Sequence, residues 1–588
     1  MFSPRRMPRL VFLCGIGVLL VLLVASISDI GTHAFAASAQ TANHAAASNT
    51  AVVTYKEDNS HTGSHTTETI LNTTNVNQNT FGKHVTYKTD GQVYAQPLYL
   101  PGVTVGGTSH NVVYVATEND SIYAFDADQT SADAPLWHKS FLTSSSVVAP
   151  SNTDVSCNDV VPKDGLTGTP VIDRSTGTLY VVALTKENGS FVYRLHALDI
   201  ATGHEKAATK IQATVAGTGA GSVKGKLKFN PQTQRQRTGL LLANGKIYIA
   251  WGSFCDNPPF HGWIMSYSYN AGKFQQVSVY TDTANSSEGG IWAVGGALSA
   301  DSNGNIYYTS GNGGFDANKK GVDYGDSVVR LNAQLKVQDY FAPFNQQCLA
   351  AIDGDLGSGG PLLLPDQHRL ITAGKEGRVY VVNTTDMGHY HTIAKPCNNL
   401  KLTNVDRIVQ ELPAGTIGGL FSNVTYWSSA SGQQYVYFSG TRDKLKAFSW
   451  DSNSSRRIAT SPSSKSPETF GATGSNPTIS SNNGAAGTGI LWTVDPAGIL
   501  RAYDATDLNK ELYNSNQDAA RDGLGGHVKY AAPTVANGEV FVGLNNGLEI
   551  FGQLTTSSAS VPVPVPASST QNALAMNDDH ARINVGSF

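Results

Sequence analysis

Short apolar stretches alternate with polar turns along nearly the whole chain, and that alternation itself recurs as a unit. The clearest copies read NVVYVATENDSIYAFDAD from Asn111, GTLYVVALTKENGSFVYRLHALDIATG from Gly177 and RLITAGKEGRVYVVNTTDMG from Arg369. Each holds an apolar strand, a short polar turn and a second strand, and two of them close on Ala-x-Asp. Period-2 alternation bounded by Gly, Asn and Asp predicts antiparallel strands joined by tight turns. Units start near Tyr94, Leu166, Arg237, Glu288, Asp355, Gly418, Phe470 and Gly526, eight in all. One small unit reused at this spacing predicts a radial array, and four short strands per unit predict propeller blades. The expected fold class is all-β: a single β-propeller of eight blades, with seven as the alternative count and four antiparallel strands per blade.

The last unit, Tyr530 to Leu554, lacks an outer strand, and His84–Lys88 ahead of the first unit is placed to supply it. Such closure by the two ends of the chain removes the exposed edges an open ring would leave. The expected organisation is a signal peptide over 1–36, a flexible segment over 37–65, the propeller over 66–554 and a disordered Ser/Pro/Val-rich tail over 555–588. The leader follows from Arg5, Arg6 and Arg9 ahead of an apolar run from Leu10 to Val24, with small residues after it. An uncleaved anchor is the rival reading, but the run is shorter than a comfortable membrane span of ~20 residues.

Composition refines this picture at three points. Charged residues make up 15% of the chain while Gly numbers 59 and Tyr 24, which suits strands, turns and aromatic packing between blades. Loss of residues 1–36 leaves 38 basic against 44 acidic side chains, a formal charge of −6 with no basic stripe, so nucleic acid is excluded as a partner. Four cysteines remain, Cys157, Cys255, Cys348 and Cys397. In an exported chain an even count predicts disulfides; three pairings are possible, and Cys157–Cys255 with Cys348–Cys397 is the one that joins neighbouring units. The protein is accordingly expected outside the cytoplasm, secreted or at the cell surface.

In a propeller the connections entering each blade, and those between its second and third strands, emerge on one face. A central site should draw on them. Lys186-Glu187-Asn188, Glu288 to Trp292, Gly311-Asn312-Gly313, Asp353-Gly354-Asp355 and Lys375-Glu376 occupy such connections. The ending Ala197-Leu198-Asp199-Ile200-Ala201-Thr202-Gly203 resembles the repeat of quinoprotein alcohol dehydrogenases, eight-bladed propellers holding pyrroloquinoline quinone (PQQ) and Ca²⁺ on the axis. The resemblance runs from about Thr66 to Leu554. It implies Glu187 and Asn312 as metal ligands, Trp292 as the indole stacked on the quinone, and Lys375 as the cation at its oxygens. Oxygen ligands suit Ca²⁺, an indole supplies a π-face, and a cation stabilises a reduced quinone.

The chain departs from that pattern where proton abstraction is concerned. By the same register the catalytic Asp falls at Ala350, and the adjacent Cys-Cys pair is replaced by Cys157 alone. Asp353 and Asp355 are the carboxylates left to act as base. No C-x-x-C-H occurs, so electrons would leave to a separate acceptor. Two readings stay open: a PQQ-dependent oxidoreductase of an alcohol or sugar with a partly retained site, and a non-enzymatic scaffold that binds a surface protein or glycan.

Overall fold

A computed structural model describes residues 50–293, 296–398, 401–452 and 457–554. The leader and the tail lie outside the described residues.

Among the described residues eight blade sheets form, one for each repeated unit, together with a two-stranded ribbon of Thr214–Ala216 and Lys226–Lys228. Their innermost strands are Leu98–Val105, Val171–Asp173, Leu241–Ala243, Ser299–Ala300, Leu362–Leu363, Thr425–Ser428, Thr478–Ser480 and Thr534–Ala536. Apart from the added strands Ser64–His65 and His389–Tyr390, which pair parallel with the seventh and fourth blades, the strands of a blade run antiparallel and outward in chain order, so the chain returns to the axis between blades. The eighth blade takes its outer strand from the other end of the chain. Phe81–Lys88 pairs antiparallel with Gly547–Gln553, in register from Phe81 opposite Gln553 to Lys88 opposite Gly547. Blade count and closing strand both match the pattern in the sequence.

Among the described residues the apolar side chains gather mainly in eight seams, one between each pair of neighbouring blades, with a small further cluster of Tyr55, Ala297 and Ala532. Trp251 and Trp263 fill the seam between the second and third blades, Trp427 that between the sixth and seventh, and Trp492 that between the seventh and eighth. The seam closing the ring packs Val85, Tyr87, Phe541 and Leu548 of the eighth blade on Tyr99, Val113 and Val115 of the first. Because each sheet lies between two others, its middle strands are buried on both sides. Strict period-2 alternation therefore fails there: Val112–Thr117 are buried without interruption, as are Thr178–Thr185. Only outer strands such as Lys273–Thr281 meet solvent along their length.

Two disulfides form, Cys157–Cys255 and Cys348–Cys397. The first ties the connection entering the second blade to the third blade. The second ties the helix Gln346–Ala351, ahead of the fifth blade, to the insertion after that blade's third strand.

The assignment of residues 37–65 to a flexible segment is corrected for residues 50–65. Val52, Lys56 and His61 are fully buried and Tyr55 nearly so. The stretch lacks apolar periodicity because, apart from the two-residue strand Ser64–His65, it is neither strand nor helix; it crosses one mouth of the ring and bonds to the blades.

Several carboxyls are buried between blades without cations. Asp282 accepts from the Tyr308 hydroxyl at 2.6 Å through Oδ1, while its buried Oδ2 has no partner. Burial pushes this carboxyl up to about 8, so the folded chain holds a proton there that the unfolded chain loses near pH 4. Between those values the unfolded state binds fewer protons, and stability falls as pH rises, by about 1.4 kcal/mol per pH unit for one such group. Asp282→Asn keeps the acceptor for Tyr308. It should flatten the decline between pH 5 and pH 8, measured by urea denaturation at three pH values.

Candidate functional site

The connections that enter the blades converge around an axial cavity. Asp159 comes from the entry to the second blade, Arg235 and Arg237 from the third, Trp292 from the fourth, Asp355 and Ser358 from the fifth, Phe421 from the sixth and Tyr530 from the eighth. Ser253, Cys255 and Asp256 add the turn after the third blade's second strand, and Lys375 the equivalent turn of the fifth.

Trp292 forms one flat wall. A β-carbon on Gly252, Gly290 or Gly311 would come within 2.7–2.8 Å of its indole, so three glycines let the ring lie flat on the backbone of two blades. The edge of Phe260 braces it, with ring centroids 6.1 Å apart. Across the cavity Arg237 stacks on Tyr530, its guanidinium carbon 4.5 Å from the ring centroid.

The charges are segregated. On one side Arg235, Arg237 and Lys529 all point at the single carboxylate of Asp159, with Arg235 at 2.8 Å. Burial opposes ionisation of Asp159, but Arg237, Arg235 and Lys529 outweigh it and hold the carboxyl well below the usual range. Arg235 also reaches Asp164 at 3.2 Å, but burial raises that carboxyl toward its neutral form, with Arg235 opposing the shift. This wall carries more positive than negative charge.

The opposite side is acidic. Lys375 Nζ lies 2.6 Å from both Asp353 and Asp355. Burial works against this ammonium, but Asp355 and Asp353 more than compensate and raise its pKa. Asp355 Oδ1 accepts from the Asn312 backbone N–H at 2.7 Å, and the Asn312 amide donates to Asp353 at 3.0 Å. Asn312 Oδ1 is buried without a partner. Asp256 has no salt bridge. Its surroundings desolvate it, and the nearby carboxylates of Asp355 and Asp353 add to that; together they push it up to about 6. Cys255 and Asp256 both adopt left-handed backbone, φ +48° and +55°, a conformation held beside the Cys157–Cys255 bridge. Strain of this kind is concentrated at functional sites.

Of the residues singled out in the sequence, Trp292, Lys375 and Asp355 line this cavity, and Asn312 and Asp353 adjoin it, Asp353 largely in solvent. The structure does not bring Glu187 there. Its carboxylate is paired with Arg194 and accepts from Thr185, in a separate groove beside Phe141, His196 and Glu205. The grouping of Glu187 with Asn312 as metal ligands is therefore not formed. Among the described residues no three His, Cys, Asp or Glu side chains are grouped to hold a metal ion. Sequence reasoning missed Asp159, Arg235, Arg237, Asp256, Phe421, Lys529 and Tyr530. A positional signal was available: Arg237, Ser358, Phe421 and Tyr530 each stand four residues before the first residue of their blade's innermost strand.

No family model matches the chain, and no curated protein matches it. Among solved structures it is similar to the quinohemoprotein alcohol dehydrogenase ADHIIG of Pseudomonas putida HK5, at 15% identity and TM-score 0.53, over 90% of this chain and 83% of that one. A quinohemoprotein alcohol dehydrogenase from Comamonas testosteroni aligns at 14% identity and TM-score 0.55, over 86% and 81% of the two chains. A europium-containing methanol dehydrogenase aligns at 13% identity and TM-score 0.54, over 85% and 98%. At these identities the shared property is the eight-bladed fold.

Proposed function

We propose that the axial cavity binds a planar polyanion of the PQQ class, and that the protein is an exported quinoprotein-like oxidoreductase of small alcohols or sugars. One observation carries the reading: three cations converge on the carboxylate of Asp159, in a cavity that the Trp292 indole also lines. A tricarboxylate with a fused ring system matches such a wall by charge and shape. Export is supported by the apolar leader and by two disulfides, which persist in oxidising compartments.

The residues fit the quinone and fit calcium poorly. Arg235, Arg237 and Lys529 would hold carboxylates, Trp292 the ring face, and Lys375 an oxygen at the acidic end. Glu187 lies elsewhere, and the Lys375 ammonium already sits between Asp353 and Asp355 where a divalent ion would need them. A bound quinone of this class would accept two electrons from the substrate. Asp256, held near 6 by burial and the neighbouring carboxylates against the opposing pull of Lys375, is a side chain able to accept a proton in the cavity above that pH.

Equilibrium dialysis of the full oxidised chain against PQQ and against an uncharged quinone tests the reading. PQQ should bind saturably, more weakly as salt rises, and with the same affinity in EDTA; the uncharged quinone should not bind. Absence of saturable PQQ binding would sink the proposal and favour a scaffold that holds a surface protein or glycan.

The sign of the pH dependence follows from Asp256. Below pH 6 its carboxyl is neutral, and one negative charge leaves the cavity. Affinity for the polyanion should therefore rise about fivefold from pH 7 to pH 5, for a relief of about 1 kcal/mol. Asp256→Asn should bind at pH 7 as the unaltered chain does at pH 5.

A further inference from the structure

Residues 52–68 bond to all eight blades in chain order. Val52 and Tyr99 of the first blade exchange backbone bonds at 2.8 Å each, and Ile172 of the second donates to Val53 at 2.9 Å. The Asn59 amide donates to Leu242 of the third blade at 3.0 Å, while Ala300 of the fourth donates to the Asn59 carbonyl at 2.7 Å. Leu363 of the fifth, Tyr426 of the sixth and Ile479 of the seventh donate to Ser60, Thr62 and Gly63 at 3.0, 2.9 and 2.7 Å. Glu68 closes the circuit by accepting from Gly538 of the eighth at 2.9 Å. Every one of these partners lies in or directly after an innermost strand, past the end where the axial cavity opens.

Side chains of the same segment reach across the axis. Lys56 is fully buried: its backbone N–H donates to Gln96 at 2.9 Å, and its Nζ donates to Thr425 at 3.0 Å and to the Pro477 carbonyl. Tyr55 packs on Gly239, where a β-carbon would come 3.0 Å from its own, and it shares a small polar chamber with Arg237 and Tyr530. Arg237 and Tyr530 also line the axial cavity, so Tyr55 is the floor beneath them. The short parallel pairing of Ser64–His65 with Ile479 and Ser480 adds a strand to the inner edge of the seventh blade. That two-residue pairing is strand addition by open backbone groups, while the rest of the segment is a series of turns with left-handed backbone at Lys56, Glu57, His61 and Gly63.

From this geometry we infer that the closed mouth of the propeller is a peptide-binding ring, and that residues 52–68 are its resident, exchangeable ligand. The segment acts as a plug. It ties neighbouring blades together, entering a sheet only at Ser64–His65, and it leaves the axial cavity open on one face. The inference rests on the fold and is independent of what the cavity binds.

The test uses the full chain with a protease site inserted between Gln78 and Asn79, an exposed turn between the plug and the closing strand. After folding and cleavage, the N-terminal fragment should co-elute with the propeller on size exclusion. A labelled peptide of residues 50–69 should displace it, and the same peptide carrying Lys56→Met should do so at least tenfold less well. Circular dichroism of the cleaved complex, unchanged from the intact chain, confirms that the cut itself does not unfold it. Loss of the fragment on the column with no change in melting temperature would overturn the inference. So would retention of the fragment with no exchange at any peptide concentration, or equal displacement by a scrambled peptide.

Discussion

Replacing Arg237 by alanine should weaken binding of PQQ by about a hundredfold or more while leaving the chain folded. Arg237 does two things at once: its guanidinium stacks on Tyr530 and it helps hold Asp159 ionised. Removing it takes one positive charge from the ligand's side and also frees Asp159 to repel an anion. Truncating one member of a buried charge cluster costs about 2–5 kcal/mol, and each 1.4 kcal/mol is about tenfold in affinity. Arg237→Lys keeps the charge but loses the flat stack and the forked donor, so its affinity should fall between the two. Isothermal titration of the three proteins checks the order. Equal affinity in all three would remove the cationic wall from the account.

Removing the Cys157–Cys255 bridge should produce the largest change in stability. The bridge closes a sequence separation of 98 residues, against 49 for Cys348–Cys397. In the chain-entropy treatment loops of this length contribute about 4–5 kcal/mol, with the shorter loop slightly less. The double variant Cys157→Ser/Cys255→Ser should lose about that amount in urea denaturation. It should also lose affinity for the axial ligand, because Asp256 and Ser253 ride on the turn the bridge anchors. Cys348→Ser/Cys397→Ser should show a comparable stability loss with ligand affinity kept, since neither cysteine lines the cavity.

The ring was legible because its construction is local. Each unit announces strands and turns by short-range pattern, and His84–Lys88 is visible as a strand with no unit of its own, its start at Phe81 being set by the pairing with Gly547–Gln553. The middle strands, such as Val112–Thr117, depart from alternation only because neighbouring sheets cover both faces, a fact of assembly that no single unit reveals. Trp292, Lys375 and Asp355 were reachable through their place in the connections. Arg237 shared the offset of Ser358, Phe421 and Tyr530, but its role was hidden, because two arginines in a polar stretch read as solvated until the axis brings Asp159 and Lys529 to them. Glu187 failed for the opposite reason: its connection is on the expected face, but Arg194 on the adjacent strand of the same blade captures the carboxylate. The plug was hidden most completely. Its residues are mostly polar and aperiodic, with four Thr, and its order comes largely from bonds to distant blades.

Tryptophan fluorescence under titration with PQQ tests the central claim most directly, since Trp292 is the proposed wall for the ring. The account predicts saturable quenching in the full oxidised chain, absent from Trp292→Leu and shifted to much higher ligand in Arg237→Ala. Quenching that persists undiminished in Trp292→Leu, or none at all in the unaltered chain, would contradict an axial site for a planar polyanion.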